Sequence, residues 1–165
     1  MDDKLKEWVE KMKQGSSQAD LSKDEDLSIA LMNLISLEEH SYFTAMKTDN
    51  AKYLDMMGSI RELRKTLLKR IVKDPKGEEW CISKHLLAAS MRLIEVGTKE
   101  QSQGNKKDAS FMFSSAFHLY SLFFAINLKL VEMEGVKADA LKAESGKGMG
   151  RFSEIIKKIV DCCRE

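Results

Sequence analysis

Helical spacing constrains this chain more than any other property of its sequence. From end to end, apolar residues recur three and four positions apart, and no stretch sustains an alternation of apolar with polar residues. The first pattern lays a stripe along one side of a helix of 3.6 residues per turn; the second would mark a half-buried strand. Leu5, Trp8, Val9 and Met12 predict a short amphipathic helix within residues 1–13, followed by a polar linker over 14–24. Four longer helices are predicted over about 25–47, 50–73, 78–102 and 106–134. Asp49 or Asn50 is placed to cap the second. The turn DPKG, which holds the one proline of the chain, stops it. Gly135 precedes a weaker segment, the run SGKGMG breaks the pattern, and Phe152, Ile155, Ile156, Ile159, Val160 and Cys163 predict a last amphipathic helix.

The expected fold class is therefore all-α. It is an up-down antiparallel helical bundle of four core helices, occupying a domain over 25–165, with extra N- and C-terminal amphipathic helices against its ends or sides. The length of 165 residues suits one such domain.

Charge and cysteine content narrow the functional classes. Twenty-seven basic residues nearly cancel 26 acidic ones, for a net charge of +1, so the chain is not globally a polyanion binder. Three cysteines without a framework spacing argue against a disulfide scaffold and for a reducing, cytoplasmic location. The N-terminus alternates charge and lacks the apolar core of a signal peptide, and the C-terminal DCCRE lacks a prenylation box. Residues 109–128 carry no formal charge, about a membrane-spanning length. Ser110, Ser114, Ser115, His118, Ser121 and Asn127 interrupt the run. Such groups are costly in lipid and tolerable in a protein interior, so a buried central helix is expected and a membrane partner is not.

Residues 90–116, SMRLIEVGTKEQSQGNKKDASFMFSSA, place Leu93, Val96 and Gly97 on one helix, Gly104 at a turn, and Ala109, Phe113 and Ala116 on the next. This segment resembles a single tetratricopeptide-type helical hairpin. Leu93 and Glu100 stand where that family carries aromatics, and no second copy follows at its repeat length, so a repeat array is not expected. The resemblance implies two helices in close approach and points toward the partner binding that such hairpins often serve.

Sites for chemistry are scarce. Di-iron carboxylate bundles need Glu-x-x-His on two helices, but Leu37, Ile82 and Ser115 stand three residues before His40, His85 and His118. Cys81 and His85, four apart, supply two ligands on one face and no third. No phosphate-loop spacing, nucleophile elbow or zinc quartet occurs. The expectation is no catalytic residue, no metal and no cofactor.

Two polar features remain. Glu38 falls in the middle of the stripe Leu27, Leu31, Leu34, Tyr42 and Ala45, and Arg64 falls among Tyr53, Met57, Ile60, Leu67 and Leu68. Charges on two facing apolar stripes should pair if both are buried. Glu38 and Arg64, with His118 as a third group, define a candidate polar pocket. The segment 61–76 holds seven basic and two acidic residues, with Arg61, Lys65, Lys69, Lys73 and Lys76 along one flank. Together these readings predict a non-enzymatic helical interaction module that binds a protein partner or self-associates. The alternatives are nucleic-acid backbone binding through the basic flank and a bundle that binds a small ligand or metal.

Overall fold

The computed structural model describes residues 18–129. They form four helices: α1 (Gln18–Thr48), α2 (Lys52–Ile71), α3 (Glu79–Ser102) and α4 (Lys106–Asn127). No strand occurs among the described residues. The helices predicted near the two ends of the chain lie outside them.

The helical period locates all four elements, with shifts at their ends. α1 starts at Gln18, so residues 18–24 are helical where their polarity suggested a linker; the run from Gln18 onward holds neither glycine nor proline. α1 closes at Asp49, which takes a left-handed φ of 50°; Asp is among the few non-glycine residues that tolerate this region. Asn50 Oδ1 then accepts the Lys52 N–H at 3.1 Å as α2 begins. α4 stops at Asn127 rather than continuing toward 134, because Lys129 turns to a φ of 56°. The α3–α4 turn depends on Gly104 at φ 83°, a conformation that a side chain would strain.

α1 and α2 fold back on one another, α3 and α4 do the same, and α1 also meets α3. The shared core gathers Leu31 and Ile35 from α1, Leu68 and Ile71 from α2, Leu87 from α3, and Leu122, Phe123 and Ile126 from α4. Burying each such side chain contributes roughly 1.5–3 kcal/mol.

The seam of the second pair is built from small residues. Gly97, Ala109 and Ala116 are all buried, and a Cβ added at Gly97 would lie 2.7 Å from Phe113 Cε1. Gly97 is therefore what allows the Phe113 ring to lie against the α3 backbone. The expected uniform burial of α4 holds only for its second half. Residues 121–126 are buried, whereas Phe111 is half exposed. α4 is also the one helix among the described residues with the length and composition to cross a membrane.

Five serines, Ser28, Ser41, Ser83, Ser90 and Ser121, are fully buried. Ser41, Ser90 and Ser121 each donate to the carbonyl four residues back, and Ser83 accepts from Asn127 Nδ2 at 3.0 Å. With their hydroxyls satisfied, these short side chains bury at little cost and keep helices close. Ser28 donates to the Glu25 carbonyl, which leaves its oxygen to accept from the Tyr120 hydroxyl at 2.6 Å. That bond ties α1 to α4.

Candidate functional site

Glu38, near the middle of α1, faces α2 from within an apolar stripe. Its side chain is 10% exposed, and Arg64 opposite is 6% exposed. Arg64 Nε donates to Glu38 Oε1, and Arg64 Nη2 approaches Oε2 at 3.4 Å. Arg61, one turn earlier on α2, donates from Nε to Oε2 at 2.9 Å. One carboxylate therefore serves two guanidinium groups.

Burial by itself would raise the Glu38 carboxyl. The hydrogen bonds from Arg64 and Arg61, together with their positive charges, outweigh that effect and hold it below its ordinary value. Glu38 is thus ionised at neutral pH, and the arrangement is a charge cluster with a net positive surplus.

The cluster forms the floor of a cleft of about 350 Å³ between α1, α2 and α3. Lys84 and His85 border it from α3 and Tyr42 from α1, with Ile35, Met57 and Ala88 as apolar wall. Glu39 at the rim faces Arg92 of α3 at 3.9 Å, and Arg92 also donates to Ser36 Oγ at 2.7 Å.

His118 does not join this cluster. It borders a separate cavity of about 600 Å³ beside Gln101, Lys106 and Phe117. The cluster lies between α1 and α2, whereas His118 is carried by α4, whose contacts are chiefly with α3.

The five residues of the basic flank do not act alike. Arg61 is engaged by Glu38, and Lys65 pairs with Glu62 of its own helix at 2.8 Å. Lys69 and Lys73 border a shallow depression whose other wall includes Pro75 and the half-buried Trp80. Lys76 lends its backbone N–H, not its side chain, to Glu79 Oε2 at 2.9 Å. Trp80 was not legible as part of the flank because it lies beyond the proline turn and returns to the lysines only through folding.

A second buried carboxylate closes the base of the α3–α4 pair. Glu79 accepts from Lys129 Nζ at 2.6 Å and from the Lys76 N–H, and these bonds hold its carboxyl below the ordinary value. Cys81 is an exposed thiol. Among the described residues, no group of three or more His, Cys, Asp or Glu side chains is arranged to hold a metal ion.

No protein-family model, curated protein or solved structure matches the chain. None of these comparisons extends the tetratricopeptide-type resemblance of residues 90–116.

Proposed function

We propose that the chain is a non-enzymatic helical protein that acts as a protein–protein interaction or self-association module. In this reading its four helices are the core of an up-down bundle, extended by the amphipathic segments 1–13 and 152–163, and it works in the reducing cytosol. The observation that carries the proposal is the tip of the α1/α2 hairpin. Tyr42, Phe43 and Met46 near the end of α1, and Leu54 and Met56 at the start of α2, are 37–56% exposed. Single exposed apolar residues are ordinary, but Tyr42, Phe43 and Met46 fall on one side of α1, and grouped large apolar side chains mark a contact surface. Methionine and aromatic side chains are also those enriched where proteins meet.

The test is light scattering of the full chain across concentration, beside the variant Phe43→Glu/Met46→Glu. Association that rises with concentration and vanishes in the variant, at unchanged helicity, is the expected result. A monomer at every concentration that also retains no partner from its native extract would overturn the proposal.

One observation favours a second reading. Trp80 beside Lys69 and Lys73 offers an aromatic surface next to cations, the pairing used to hold single-stranded nucleic acid by stacking and phosphate contact. It predicts quenching of tryptophan fluorescence by a short oligonucleotide, weakened steeply by salt and by Lys69→Glu/Lys73→Glu. Unchanged fluorescence at low salt would remove it.

A further inference from the structure

Arg64 has more donors than Glu38 can accept. A guanidinium presents five N–H groups. Nε and Nη2 engage the carboxylate, and no acceptor among the described residues meets the rest. The side chain is 94% buried by its 6% exposure, and Arg64 borders the cleft. A buried charged donor without an acceptor is costly, and a ligand that supplies one gains by the same amount.

The surroundings select the ligand. Three cations, Arg61, Arg64 and Lys84, face two carboxylates, Glu38 and Glu39. Glu38 already accepts from both arginines, and Glu39 is turned toward Arg92. The charge bordering the cleft is accordingly net positive. His85 and Tyr42 add further hydrogen-bonding groups at the border, and Ile35, Met57 and Ala88 supply an apolar wall. The volume of about 350 Å³ lies at the small end of ligand sites.

We propose that this cleft binds a small oxyanion with an apolar body, its head against Arg64, Arg61 and Lys84 and its body against Ile35, Met57 and Ala88. The planar guanidinium fork suits both phosphate monoesters and carboxylates.

The experiment titrates the isotope-labelled full chain with phenyl phosphate, with benzoate, and with benzyl alcohol as the uncharged control. Amide shifts are followed by NMR. Saturable shifts confined to segments 35–42, 57–64 and 84–88 with at least one anion, and none with benzyl alcohol, are the expected result. The anion that binds more tightly identifies the head group as phosphate or carboxylate. Arg64→Leu risks unfolding the helix pair, so the decisive variant is Lys84→Met, whose side chain takes no part in the Glu38 cluster. It should weaken the anion about tenfold, the worth of one charge-assisted hydrogen bond, while leaving the unfolding temperature unchanged. The proposal is overturned if neither anion saturates, if the shifts fall elsewhere, if benzyl alcohol binds equally well, or if Lys84→Met binds as tightly as the parent.

Discussion

The two helix pairs of this molecule are joined by opposite physics. α1 meets α2 across a carboxylate shared by two arginines, whereas α3 meets α4 along glycine and alanine. The first seam is wide enough for long side chains and tolerates a cleft beside it. The second brings one backbone against an aromatic ring at Gly97, with the cavity bordered by Gln101 and Phe117 opening beside that contact. Charge sets position at the first seam through direction and distance; volume sets it at the second. The difference bears on the kind of ligand each seam suits: the cleft beside the charged seam is bordered by a buried cation, Arg64.

Three perturbations break or sharpen that contrast. The largest effect should come from Glu38→Ala, which leaves Arg64 buried without its partner. A loss of about 3 kcal/mol is expected in urea unfolding. The double variant Glu38→Leu/Arg64→Leu should recover most of it, because an apolar pair of similar size needs no partner charge. If the single variant costs nothing, the first seam is not electrostatic.

Added volume should act on the second seam. In Gly97→Ala the new methyl carbon would sit 2.7 and 2.9 Å from Phe113 ring atoms and 3.2 Å from Met112 Cβ. Overpacking of this kind costs ~1–3 kcal/mol, and the better helix propensity of alanine returns roughly 1 kcal/mol. The expected net loss is about 1 kcal/mol by thermal unfolding. Pairing the change with Phe113→Leu should abolish the loss, since the ring is what the methyl meets.

The smallest effect should be that of acid. Glu38 and Glu79 both sit below their ordinary value of 4.5 in the folded chain. Each therefore binds protons less readily folded than unfolded, and contributes stability that is present above that value and lost as the pH falls below it. Glu38→Gln should flatten the acid limb of a stability–pH curve, leaving the part to which Glu79 at the base of the second pair contributes. An acid limb identical in the variant would show that Glu38 is not the group that titrates.

Much of the fold and part of the site were legible in the sequence, for reasons that differ by residue. Helical spacing located all four described helices because each has a buried side. Glu38 and Arg64 stood out because a charge within an apolar stripe must find an opposite charge if it is to be buried there. Gly97, Ala109 and Ala116 were readable because small residues at helical spacing imply close approach. Arg61 was read only as a flank cation; its long side chain reaches around α2 to Glu38, which its position on the helix does not reveal. Tyr42 counted toward the α1 stripe yet is exposed, because spacing shows which residues share a side and not how far a neighbour covers it. Ser41, Ser90 and Ser121 were invisible for the opposite reason: their hydroxyls are satisfied by their own helix, so polar letters conceal interior positions. Lys84 and Tyr42 became part of the site only when three helices converged.

The unequal lengths of α1 and α2 have a mechanical consequence. With 31 residues against 20, α1 measures about 46 Å and α2 about 30 Å. The upstream part of α1 overhangs its own partner and is held at Ser28 by Tyr120 of α4. Each half of the chain thus carries a piece of the other's socket. Two fragments severed at the proline turn should find each other again in solution, like a split reporter reassembling from its parts.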